Sequence, residues 1–166
     1  MNTKTKKLST VSIVLCGMFA ALVAIGAFIQ IPVPYMDYFT LQFFFVLLAG
    51  LILGADKGAI SVGCYVLLGL VGVPIFAAGG GIGYIFRPSF GYLVGFIVSA
   101  YVTGKVCEKL KASYKNYLLA CLAGFVVTYA IGIVYKFIIL NFYAHTPATL
   151  GVIFLSCFPL DMPGDF

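Results

Sequence analysis

Long apolar runs alternate with short polar ones along the whole chain, and their lengths predict membrane-spanning helices. The first run covers residues 11–29, long enough to cross a bilayer core at about 1.5 Å per residue. Pro32 and Pro34 stop it, so the stretch from Ile31 to Gln42 is expected to be extended or re-entrant. Its polar members Tyr35, Asp37, Tyr38, Thr40 and Gln42 either line a site or form a plain solvated loop. A second helix is expected over 43–54, shorter than the ~20 residues of a perpendicular crossing. Ala55-Asp56-Lys57-Gly58 then reads as a tight polar turn. Further helices are expected over 58–73, 88–106, 117–140 and 149–160. Pro163-Gly164-Asp165 resembles the break before another helix, with Asp165 near its N-cap, so a continuation beyond 166 is expected.

The connection between the third and fourth helices differs from the rest. It contains Gly79, Gly80, Gly81, Gly83, Tyr84, Arg87, Pro88 and Ser89, and leads on to Gly91 and Tyr92. Glycine permits left-handed or closely approaching backbone, and Pro88 fits the first turn of a helix that follows. Irregular backbone in a membrane protein is tolerated where it is covered by protein or lines a cavity. This is a candidate binding site.

Composition narrows the class. Hydrophobic residues make up 63% of the chain and charged residues 9%, against about a quarter charged in a soluble domain. The expected fold class is an all-α integral membrane protein, a six-transmembrane-helix bundle forming a single domain over 1–166. The net charge of +5 does not indicate nucleic acid, because the lysines cluster at helix ends. Lys4, Lys6, Lys7, Lys57, Lys105, Lys109, Lys111 and Lys115 all fall at the N-terminus or in the second and fourth connections. The positive-inside rule then puts both termini in the cytoplasm and the glycine-rich, 32–42 and 141–147 loops outside. The five cysteines are dispersed and lack metal-ligand spacing, so neither a metal site nor a cofactor is expected. His145 has no neighbouring nucleophile or carboxylate, and Gly79-x-Gly81-x-Gly83 follows no strand. Catalysis and dinucleotide binding are therefore unsupported.

Two cations remain. Lys136 lies near the outer end of the fifth helix, either as a functional charge or as a lysine snorkelling to the headgroups. Arg87, beside a helix start, suits a carboxylate or pairs with Asp37 or lipid phosphate. Asp161 and Asp165 either accept N–H groups of a ligand or cap a helix. A small ligand with an apolar body, a carboxylate and amide-like donors fits this set, and biotin is such a molecule. In the first helix Ala20 and Ala24 form a small-xxx-small pair, serving internal packing or a partner helix.

The runs Phe39-Thr40-Leu41-Gln42, Leu47-Leu48-Ala49-Gly50, Gly72-Val73-Pro74-Ile75-Phe76, Gly79-Gly80-Gly81, Pro88-Ser89-Phe90-Gly91-Tyr92 and Pro163-Gly164-Asp165 resemble the BioY family. These are the biotin-specific substrate-binding S components of energy-coupling factor (ECF) transporters. The resemblance spans nearly the whole chain. It implies a biotin pocket open to the outside, covered by the first and third external loops. It also implies a transmembrane coupling subunit and two cytoplasmic ATPases as partners, or self-association where the protein acts alone. The alanine pair resembles the signature that faces the coupling subunit. By the resemblance, Asp165 accepts the ureido N–H groups, and Tyr84, Ser89 and Tyr92 surround the bicyclic head. Gly79 to Gly83 let the loop close, and Arg87 or Lys136 meets the carboxylate. Arg87 departs from the family's usual loop, Gly-Pro-Thr-Gly-Gly-Tyr, and a lysine common three residues past the aspartate is missing where this chain stops at Phe166. The rival expectations are an S component for thiamine or riboflavin and a ligand-free assembly subunit.

Overall fold

The computed structural model describes residues 9–31 and 39–143, together with 151 and 153. Its helices are α1 (Thr10–Phe28), α2 (Gln42–Leu53), α3 (Ala55–Val71), α4 (Phe90–Lys109) and α5 (Tyr114–Ile138). A 3-10 turn covers Ile82–Phe86, and a π-helical turn over Ile139–Tyr143 extends α5. The helices α1, α4 and the extended α5 are long and apolar enough to cross a membrane. Large apolar side chains such as Val11 and Val14 on α1, and Leu118, Leu122 and Val126 on α5, point outward. A contiguous apolar exterior of this kind is what lipid covers.

The first two helices match the apolar runs 11–29 and 43–54 to within one residue. Between them, β1 (Gln30–Ile31) pairs antiparallel with β2 (Phe39–Thr40), so the stretch after α1 is extended at both ends. Helix α4 starts at Phe90 rather than 88, because Arg87, Pro88 and Ser89 form a turn closed by the Phe90 N–H donating to the Arg87 carbonyl at 3.0 Å. The expected sixth helix lies outside the described residues except at Gly151 and Ile153.

The junction between α2 and α3 departs from expectation. Ala55-Asp56-Lys57-Gly58 is helical, not a turn, and Gly54 alone joins the two helices with φ of 82°. Asp56 favours a helix start by its charge. The Ala55 N–H is capped from afar by the Glu108 carboxylate at 2.9 Å. Gly58 packs so tightly on the Ala49–Gly50 backbone that an added Cβ would lie 3.0 Å from the Gly50 Cα. That approach lets a single residue turn the chain.

The core runs through Phe19, Val23, Val46, Val62, Tyr65 and Ala100. Hydroxyls tie the helices where side chains are small. Ser61 donates to the Cys16 carbonyl (2.7 Å), Ser99 to Gly124 (3.0 Å) and Thr103 to Ala120 (3.3 Å). Ala20 is buried in this core and Ala24 packs partly against it. The small residues of α1 that face outward are Gly17 and Ala21.

Candidate functional site

The chemically rich residues gather at the end of the bundle where α2 begins and α3 ends. Tyr65 is the one aromatic residue of α3 and is fully buried. Its hydroxyl donates to the Ile75 carbonyl at 3.1 Å, fixing the chain just after α3. The Phe76 ring stands edge-on to Tyr65 at 5.5 Å and lies 4.6 Å from the Tyr84 ring. Gly69 leaves the room for Phe76, since an added Cβ there would overlap its ring. Arg87 caps the stack with its guanidinium 5.4 Å from the Tyr84 ring centre. The series Tyr65–Phe76–Tyr84–Arg87 thus runs from the interior to an exposed cation.

The glycine run is a folded turn rather than an open flap. Phe76 and Gly79 exchange backbone hydrogen bonds of 2.8 and 3.1 Å, and the Gly81 N–H donates to the Gly69 carbonyl at 2.7 Å. Gly79 and Gly81 have φ of 108° and 107°, in the left-handed region that only glycine enters without strain. Gly80 lies against the Val73 carbonyl, where a Cβ would clash, whereas Gly83 borders open space. Tyr135 on α5 anchors the next segment by donating to the Ile85 carbonyl. Phe86 stacks on Tyr143 at 4.9 Å.

Gln42 opens α2 and is 4% exposed. Its amide adjoins the Tyr65 hydroxyl, yet its Nε2 has no hydrogen-bond partner among the described residues. An unsatisfied buried donor is uncommon in a native fold.

Of the residues expected to form a site, Gln42, Gly79, Gly80, Gly81, Tyr84 and Arg87 come together here. Tyr84 is mostly buried within the stack. Ser89 is exposed just before α4 and makes no side-chain cap. Tyr92 turns toward α5, packing on Gly132 and edge-on to Tyr129 at 5.9 Å. Reciprocally, Tyr135 packs on Gly91. Lys136 is half-buried in the last turn of α5. Asp165, Asp161 and His145 lie outside the described residues. Tyr65 and Phe76 join the cluster without having been expected in it. A lone tyrosine in the apolar run of α3 was the available signal for the first. Among the described residues no group of His, Cys, Asp or Glu comes together to hold a metal.

Residues 1–163 match the sequence model of the BioY family. The chain is 41% identical over 162 residues to the probable biotin transporter BioY of Lysinibacillus sphaericus, covering 97% of this chain and 82% of that protein. It is 45% identical over 130 residues to the biotin transporter BioY of Thermotoga maritima, covering 78% and 73%. Its fold is similar to the crystal structure of the S-component for biotin from an ECF-type ABC transporter. The TM-score is 0.77 at 24% identity, over 96% of this chain and 84% of that one.

Proposed function

The chain belongs to the BioY family, and from that membership we propose that it captures biotin for uptake across the cytoplasmic membrane as an ECF S component. The match of the family model over 1–163 carries the reading. The cluster of Gln42, Tyr65, Tyr84 and Arg87 supports it chemically. It combines aromatic surface for an apolar ring system, neutral hydrogen-bonding groups and one cation at the rim.

In this reading six helices span the bilayer, with the lysine-rich ends of α3, α4 and α5 in the cytoplasm. The glycine-rich loop and the stretch between β1 and β2 face outside and admit the ligand. Asp165 accepts the ureido N–H groups, while Ser89 and Tyr92 border the bicyclic head. Gly79, Gly80, Gly81 and Gly83 shape the loop over it, and Arg87 or Lys136 meets the carboxylate. The protein has no need of catalytic groups or a cofactor of its own. A transmembrane coupling subunit with two cytoplasmic ATPases drives release inside, or copies of the chain associate. A partner helix would meet α1 at Gly17, Ala21 and the accessible edge of Ala24, because Ala20 is buried in the chain's own core.

Uptake of labelled biotin tests the reading in cells carrying this chain with its transporter partners. Arg87→Ala and Asp165→Asn are expected to reduce uptake, and unchanged uptake in both variants would favour a ligand-free assembly subunit.

A further inference from the structure

At the end of the bundle opposite the Tyr65–Arg87 stack, lysines outnumber the acids that could balance them. Among the described residues the acidic side chains are Asp56 and Glu108. Both act on Lys105: Glu108 pairs with it at 3.4 Å while capping Ala55, and Asp56 adds a longer-range attraction. Lys109, Lys111 and Lys115 are exposed and have no ion pair among the described residues. No acid stands between them in the sequence. The backbone that carries them is held in place. The Asn116 side-chain amide donates to the Lys111 carbonyl at 2.8 Å, and the Asn116 and Tyr117 N–H groups both donate to the Ser113 carbonyl at 3.0 Å. Three like charges kept this close repel one another, and an anion relieves that repulsion.

The surroundings decide which anion fits. Leu110, Tyr114 and Tyr117 are exposed amid the lysines. Both α4 and the extended α5 are long and apolar enough to cross a membrane, so their connection lies at the membrane surface. Exposed tyrosines and lysines at that depth suit the headgroup region. A crevice of about 320 Å³ adjoins the connection, between the ends of α2 and α4 and the start of α5. Leu51, Ile52 and Leu53 supply one wall, and Cys107, Glu108 and Tyr117, which flank the lysine segment, supply the other. Ile52 is exposed, so the crevice opens sideways to the bilayer. A soluble anion would use the charge and leave the apolar wall bare. An amphiphile with an anionic head uses both.

We propose that the α4–α5 connection binds an anionic phospholipid, with Lys109, Lys111 and Lys115 on its phosphate and an acyl chain along the adjoining crevice. Each lysine strengthens the attraction by about fivefold, and salt screens it.

The test compares four forms of the purified full chain: unaltered, Lys109→Gln/Lys111→Gln/Lys115→Gln, the same three positions changed to Arg, and Lys4→Gln/Lys6→Gln/Lys7→Gln. Each is exposed to equimolar phosphatidylglycerol and phosphatidylcholine, and retained lipid is counted by native mass spectrometry. Melting temperatures are recorded with short-chain forms of both lipids and with glycerol phosphate alone. The unaltered chain is expected to prefer phosphatidylglycerol by about tenfold or more and to be stabilised by it at low salt. The Gln variant at 109, 111 and 115 loses that preference, while the Arg and N-terminal variants keep it. Where the triple Gln variant does not fold, the three single Gln variants are each expected to lose about fivefold in phosphatidylglycerol retention. Equal retention of the two lipids by the unaltered chain overturns the proposal, as does a preference that survives removal of the three lysines. An equal loss in the N-terminal variant also overturns it, by marking diffuse charge attraction instead of a site. Stabilisation by glycerol phosphate as strong as by the lipid overturns it in favour of a free-anion site. Loss of labelled biotin uptake in cells with lipid preference unchanged assigns the patch to an acidic protein surface instead.

Discussion

Gly69 and Gly63 lie on the same helix and should respond oppositely to the same change. A Cβ at Gly69 overlaps the Phe76 ring, while one at Gly63 meets nothing within 4 Å. Gly69→Ala is expected to destabilise the protein by about 1–3 kcal/mol through overpacking. It should also weaken ligand binding, because Phe76 cannot move without displacing Tyr84. Gly63→Ala should stabilise the helix by about 0.5–1 kcal/mol. Melting curves in detergent check both signs, and equal shifts would contradict the packing described around Phe76. At this scale the sequence was informative where polarity stood out from an apolar background. Gln42, Tyr84 and Arg87 could be picked out that way. Tyr65 also stood out as the lone tyrosine of an apolar run, but such a residue reads as core, and only the fold brings it to Gln42 and Ile75. Tyr92 was legible as an aromatic at a helix start, but its direction depended on Gly132 of another helix. Ala20 and Ala24 share a face by spacing, and spacing cannot say which neighbour that face meets.

The existence of α1 to α5 was legible because each of their apolar runs had to hide its backbone from lipid. Helix ends depended on distant partners. The polar run at 55–58 looked like a turn because Gly and two charges usually mark one. It is helical because Glu108, at the far end of α4, caps Ala55, and because Gly58 fits against α2. Glu108→Ala should therefore cost about 0.5 kcal/mol, the low end of the capping range, since its carboxylate is half exposed. Glu108→Gln, which keeps an acceptor, should lose less. Equal losses would assign the effect to the exposed Lys105 ion pair at 3.4 Å, a contact that contributes little elsewhere. Between α4 and α5, Ser99→Ala and Thr103→Val each remove an interhelical hydrogen bond. Each is expected to cost about 0.6 kcal/mol, read as a small drop in melting temperature.

At the scale of the whole molecule, membrane insertion follows from how little charge the chain has, and the proposed sidedness rests on where that charge lies. Ala78→Cys, in a background without other cysteines, is expected to react with an impermeant maleimide on intact cells, and Lys111→Cys only after permeabilisation. The reverse pattern would place the glycine turn inside. Family membership was legible in the sequence because the family's motifs are scattered along the whole chain, and the match over 1–163 agrees with them. The candidate site was less so, since its residues come from α2, α3 and the loop beyond, and the expected Asp165 lies outside the described residues. Central to the account is that this arrangement binds biotin. Titration of the purified chain in lipid nanodiscs with biotin, thiamine and riboflavin tests it most directly. Biotin should bind with a Kd below about 1 μM, corresponding to roughly 8 kcal/mol, and the other two vitamins should not compete. Failure of biotin to bind in that range, or displacement of biotin by thiamine or riboflavin at comparable concentration, would contradict it.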